Sequence, residues 1–279
     1  MKVAQSVMKR VARIAMRSNL AWRVACKLPV HDYFSQHRSS VIRKRVRQKC
    51  AAYLQPLRVL NGPFQGTQYS EAASVGSSLW PKLFGTYESE LRDCIDEICK
   101  RDYRKIIDVG FAEGFYLVGL GRRITNCELI GFDVEPEAER LCRANADVNG
   151  IDTQRLRLFG AFDPQTFEQV MDCESLVVVD CEGFENEVIA TLTPQGLKAA
   201  DWLIETHDHL VSGTTERLAD TLKETHTLTI IRTDADLQQK KRLLPQAIRD
   251  VCDDYEQEAL VTEGRLAEQS WIYATRKAA

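Results

Sequence analysis

The chain has 279 residues, enough for one large domain or one domain with an extension, and either can bury a sizeable core. Hydrophobic residues make up 44% and charged residues 28%, as in an ordinary soluble globular protein, and no apolar run is long enough for a bilayer, so the membrane-spanning classes drop out. The net charge of −3 hides an asymmetry: residues 1–50 carry five Lys and eight Arg against one acid, Asp32, near +12, which leaves the remainder near −15 and implies that the two parts do different jobs.

Residues 2–17, KVAQSVMKRVARIAMR, put Val3, Val7, Val11, Ile14 and Ala15 on one helical face and Lys2, Lys9, Arg10, Arg13 and Arg17 opposite. Such a basic amphipathic helix docks on the body of the protein or on a partner. A surface helix on anionic lipid and an arginine-rich targeting presequence are the alternatives. RSSVIRKRVRQK (38–49) reads as a solvated helix face or as a stretch that touches phosphates. Nine cysteines, odd in number and scattered with no CxxC spacing, indicate reduced thiols in a cytoplasmic compartment and argue against structural zinc.

Residues 55–85 are rich in Gly, Pro and Ser and are expected to drape over the next domain as a connector. The expected division is therefore a basic helical extension and connector over 1–80 and a second domain over 81–279. GTYESELRDCIDEICKR supplies a helix capped by Thr86 or Ser89. Strands are expected at 105–109, 128–132, 155–159, 175–180, 201–205, 228–233 and 270–276. Helices fall at about 115–124, 136–148, 163–171, 184–192, 212–225 and 240–256. The alternation predicts an α/β, Rossmann-like fold: a seven-stranded, mostly parallel sheet covered on both faces, with the last strand a hairpin partner of the sixth.

In such a sheet ligands sit at the carboxyl ends of the strands. The first strand runs through Asp108 into DVGFAEG, where Gly110 permits close backbone approach and Gly114 starts the next helix tightly. The second ends in GFDVEP, about twenty residues on, where Asp133 is placed to accept both hydroxyls of a ribose. The turn lacks the third glycine of a dinucleotide loop and carries Glu113, whose charge repels a pyrophosphate and suits an ammonium or sulfonium.

On the fourth strand, DCEGFENEV resembles the DxEGxE motif of FkbM-type S-adenosylmethionine-dependent methyltransferases, and DVGFAEGFY is similar to their glycine turn. ETHDH and GTYESEL match extended versions of the pattern, Cys181 departs from the usual hydrophobic residue, and residues 1–80 lie outside the likeness. The resemblance implies a class I methyltransferase fold with strand order 3214576 and an antiparallel seventh strand. Carried over, Asp108, Gly110, Glu113, Gly114 and Asp133 would bind the cofactor, S-adenosyl-L-methionine. Ala161 or Phe162 would border the adenine, and Tyr87 would close over the methionine part. Asp180, Glu182, Glu205, His207 and Asp208 would face the transferred methyl group.

Methyl transfer needs an oriented acceptor and a proton acceptor. His207 is the first choice of base because its ordinary pKa is near neutral, and His209 is the spare. Asp180, Glu205 and Asp208 could instead gather around Mg2+, which would lower the pKa of an acceptor hydroxyl. DCEG is not the [DNS]PP[YF] of enzymes that methylate base amines. The expected acceptor is therefore a hydroxyl on a sugar, glycan or small metabolite. The rivals are an RNA-directed enzyme that clamps nucleic acid with the basic arm, an NAD-dependent oxidoreductase and a non-catalytic binding module. A homo-oligomer is compatible with each.

Overall fold

The structure, a computed structural model, describes residues 41–277 apart from 43, 235 and 266. The expected basic helix at 2–17 lies outside the described residues, as does part of 38–49; residues 44–49 are helical. The chain divides into two compact units, one spanning Leu57–Asp236 with Glu263–Ala279, the other made of Leu237–Thr262 and the described residues up to Pro56.

The larger unit holds seven strands: β1 (Lys105–Val109), β2 (Glu128–Phe132), β3 (Leu156–Phe159), β4 (Ser175–Val179), β5 (Asp201–Thr206), β6 (His226–Arg232) and β7 (Ser270–Arg276). They lie in the order β3-β2-β1-β4-β5-β7-β6, with β1 to β5 parallel and β7 antiparallel to both its neighbours. This is the class I methyltransferase architecture, and the expected β6–β7 hairpin pairing is present.

The central strands read as continuous apolar runs because both faces are covered. Alternate residues divide between two cores, as a period of two requires. Ile106, Leu129, Leu176, Val178 and Leu203 face one core with helices α1 (Arg92–Ile98), α2 (Phe115–Arg123) and α3 (Pro136–Val148). Ile107, Ile130, Val177, Val179, Trp202 and Ile204 face the other, where α4 (Pro164–Val170), α5 (Glu185–Ala190) and α6 (Thr214–Leu222) supply Phe167, Val188 and Leu218.

The larger unit takes in residues 57–80, which the sequence reading assigned to the extension and connector. Val59, Phe64 and Tyr69 are buried, so this stretch carries core side chains as well as turn residues. In the smaller unit the single helix expected over 240–256 is three helices, at Leu237–Leu243, Gln246–Val251 and Asp254–Val261. Pro245 has no N–H to continue the first, and Asp253 starts the last with a capping box to Glu256. Lys49 pairs with Glu256 at 2.6 Å in the same unit. Among the described residues no helix is long and apolar enough to cross a membrane.

Candidate active site

Two loops meet at the carboxyl end of the sheet, the glycine turn after β1 and the DCEG loop after β4. Gly110 adopts φ 92°, and a Cβ there would come within 1.7 Å of the Asp180 carbonyl oxygen. Gly114, at φ 87°, caps α2, and its Cβ would strike Val118 and Cys142. Both glycines are thus required by protein packing: one locks the two loops together and the other seats α2 on α3. Asp108 is buried and accepts from the Leu117 backbone; burial, reinforced by the charges of Asp180 and Asp133, raises its pKa. It fixes the start of α2 from behind the turn.

Asp133 holds the turn from the neighbouring strand. Its Oδ2 accepts from the Ala112 N–H at 2.8 Å and its Oδ1 from Glu135 N–H at 2.9 Å, which leaves each oxygen capacity for a further donor. Beside it Val134 is 72% exposed. Across on the β3 loop, a Cβ at Gly160 would have no neighbour within 4 Å, and Ala161 is exposed. Phe162 leans half-buried on Phe132 and Phe167. An acid with spare lone pairs, an exposed apolar face and unobstructed backbone are what a ribose and a flat base require. These residues fit the adenosine of S-adenosylmethionine.

Glu113 is arranged differently from the expectation. Its side chain is fully buried and meets Lys82 Nζ at 2.5 Å, while the Ser74 hydroxyl and Val75 N–H donate at 3.0 Å each and the Tyr69 hydroxyl at 3.4 Å. Burial would push the carboxyl up, but the Lys82 ammonium and these donors outweigh it and hold the pKa below the usual range. The inference that Glu113 offers an open negative charge to a cationic ligand is therefore corrected: Lys82 already compensates it. Lys82 Nζ also lies 5.0 Å from the ring centre of Tyr87, which Arg265 approaches from elsewhere at 5.9 Å.

The third group surrounds His207, which has no exposed surface. Its Nδ1 lies 2.7 Å from Glu185 Oε1, and Glu185 also accepts from Gly183 N–H. Nε2 faces Glu205 Oε2 and Glu182 Oε2 at 3.5 Å and Asp180 Oδ1 at 3.8 Å, and has no hydrogen-bond partner. Burial alone would lower the imidazole pKa; the bond to Glu185 and the charges of Asp180, Glu185 and Glu182 outweigh it and raise it. Glu205 is pushed well above the carboxylate range by burial and then by the charges of Asp180 and Glu88. Arg265 joins Glu205 and Glu88, each at 2.5 Å, with Glu263 at 2.8 Å. Burial raises Glu88 to about 8 against the opposing charge of Arg265.

Asp208, expected with Asp180 and Glu205 in a metal set, turns away. Its oxygens accept from the Thr215 N–H and hydroxyl at the start of α6, and His207 occupies the place expected of it. His209 is exposed. Glu88, Ala112 and Glu182 are the non-glycine residues with left-handed backbone among those described; Ala112 lies in the glycine turn, Glu182 in the DCEG loop, and Glu88 ahead of α1, where it pairs with Arg265. Such strain collects where a fold positions functional groups.

Glu185, Arg265, Lys82 and Val134 were not singled out as site residues from the sequence. Glu185 is the last acid of DCEGFE and so stood inside a quoted motif, whereas Arg265 lies far along the chain from it. Nothing local marks Lys82 or Val134.

No protein-family model matches the sequence, and no curated protein sequence does. Solved structures do resemble it. A precorrin-6y C5,15-methyltransferase from Geobacter metallireducens shares 10% identity at a TM-score of 0.44, over 66% of this chain and 89% of its own. A precorrin 8w decarboxylase from Methanobacterium thermoautotrophicum shares 15% at 0.41, over 66% and 89%. A Klebsiella pneumoniae protein described as a candidate O-methyltransferase shares 10% at 0.44, over 68% and 79%. The fold assignment rests on the strand order itself.

Proposed function

We propose that the chain is an S-adenosylmethionine-dependent methyltransferase of the FkbM type that methylates a hydroxyl oxygen on a sugar, a glycan or another small metabolite. The observation that carries this reading is the junction at Gly110. There the nucleoside-fitting turn is packed directly on the β4 loop that bears Asp180, beside a buried imidazole with an unpartnered nitrogen. Asp133, Val134, Ala161 and Phe162 would hold the adenosine, and Tyr87 would cover the methionine part. When bound, S-adenosylmethionine supplies a methyl carbon activated by its sulfonium. A new C–O bond forms as the C–S bond breaks, and the acceptor's proton leaves.

Asp180, Glu182, Glu205 and His207 form the acceptor end. With Glu185 holding its Nδ1, His207 offers Nε2 for that proton, and Glu182, whose side chain is 71% exposed, connects the buried nitrogen to solvent. The eight described cysteines are free thiols, which suits the cytoplasmic setting proposed for the enzyme. Thermal shift tests the reading. S-adenosylmethionine and S-adenosylhomocysteine should each stabilise the protein by about 2.7 kcal/mol at a hundredfold excess over Kd, and NAD should not. A shift with NAD alone, or with none of the three, rejects it.

A further inference from the structure

The distances around His207 pose a specific problem. Ionised Glu185 can only accept, so the proton it receives sits on Nδ1 and the lone pair of a neutral imidazole sits on Nε2. That lone pair points at three carboxylate oxygens 3.5 to 3.8 Å away. The separation exceeds an ordinary hydrogen bond, so no proton held by these groups is shared with Nε2. Asp180 Oδ1 is likewise buried without a partner. The ligand atoms of Asp180, Glu205 and His207 all lie within 4.8 Å of one another. Two donors about 2.1 Å from a common ion and separated by these distances subtend roughly 110–130° at it, close to tetrahedral.

Charge points the same way. Asp180, Glu182 and Glu205 crowd together with Glu88 and Glu263 behind them. Arg265 spends its nitrogens on Glu88, Glu263 and Glu205 Oε1, which leaves Glu205 Oε2 turned toward His207. A cation between the free oxygens and Nε2 would relieve the excess negative charge that the arginine does not reach.

We propose that Asp180, Glu205 and His207, with Glu182 at the mouth, bind one first-row divalent cation of the Mn2+ or Zn2+ kind. The imidazole separates this site from an all-oxygen Mg2+ or Ca2+ cage, and Asp208 is not part of it. Glu185 is the positioning residue: by holding Nδ1 it aims Nε2, the arrangement that orients metal-bound histidines generally. The lone pair that would otherwise take the acceptor's proton is then the one that holds the ion. Cation binding needs neither methyl donor nor acceptor, so it stands or falls apart from the methyltransferase reading.

The test is an Mn2+ titration of the full-length chain after dialysis against a chelator, followed by electron paramagnetic resonance. The expected result is about one bound Mn2+ per chain, nitrogen coupling from one imidazole in the pulsed spectrum, and retention of the ion in a tenfold excess of Mg2+. His207→Gln should abolish the nitrogen coupling and weaken binding about 10- to 100-fold. Asp180→Asn should weaken it to a similar degree, and Asp208→Asn should bind as wild type does. Circular dichroism melts establish that each variant is folded, and the wild-type titration decides the question if one is not. Three results would overturn the proposal: no bound Mn2+ at millimolar concentration, displacement by tenfold Mg2+, or nitrogen coupling that persists in His207→Gln.

Discussion

Two carboxylate sites stand at the same end of the sheet, one strand apart, and they are built in opposite ways. Glu113, after β1, meets an ammonium, two hydroxyls and a backbone N–H. Asp180, after β4, leaves Oδ1 unpartnered beside an equally unpartnered His207 Nε2, among acids that outnumber their one arginine. A buried charge that is fully satisfied serves the fold, whereas one left short of partners is tolerated where a ligand completes it. By this contrast Glu113 serves the framework, and the Asp180 cluster is the place to which the proposed chemistry is assigned.

The sharpest way to break the contrast is to remove the partner that satisfies Glu113. Lys82→Met leaves a buried carboxylate without its counter-charge and should destabilise the protein by about 3–5 kcal/mol, read from the denaturant midpoint. A loss below about 1 kcal/mol would mean that Glu113 does not depend on the pair. Next in size is Gly110→Ala. Its Cβ would meet the Asp180 carbonyl at 1.7 Å in a left-handed conformation, for an expected loss of about 2–3 kcal/mol together with ligand binding. Gly160→Ala, with open space around it, should stay within about 0.5 kcal/mol.

The opposite sign is expected in the second site. Asp180→Asn removes one negative charge from a crowded acid cluster, so stability should hold or rise by up to about 1 kcal/mol while methyl transfer falls about a hundredfold. If stability and activity fell together, the cluster would be structural like Glu113. Denaturant midpoints and initial rates on the same preparations separate the two outcomes.

How much of this was legible beforehand follows from the kind of interaction involved. The strands from Lys105 to Glu205 were readable within a residue or so because Ile106, Val177 and Ile204 belong to local apolar runs with clear turn signals. The acids of DCEGFE and His207 of ETHDH stood out as motifs, and the structure brings Asp180, Glu182 and Glu185 together around that imidazole. The compensation of the Glu113 charge was not legible, since it depends on Lys82, thirty-one residues upstream, in a segment that reads as a loose connector. The exchange of Asp208 for His207 was equally hidden. Which of two adjacent side chains turns inward after a strand is decided by the bond from Asp208 to Thr215, a tertiary contact with no local pattern. The three short helices in place of one over 240–256 were the avoidable error, because Pro245 was in plain view.

The effect that isolates charge from packing is the pH dependence of the Lys82→Met penalty. In the wild-type fold the Glu113 pKa is depressed, burial being outweighed by Lys82. Its contribution to stability is therefore present above the unfolded value of about 4.3 and is lost as pH falls through the lower folded value. In Lys82→Met the same carboxyl is buried without compensation, so it must take up a proton to remain inside, at a cost that disappears as the unfolded chain becomes protonated too. The penalty should be largest near pH 7 and shrink at lower pH, by no more than the about 1.4 kcal/mol per pH unit that one proton allows. Urea melts of both proteins at pH 7, 5 and 4 measure it. A penalty constant across that range would assign the loss to the methionine's packing, and the distinction between a satisfied and an unsatisfied carboxylate would then rest on the Asp180 cluster alone.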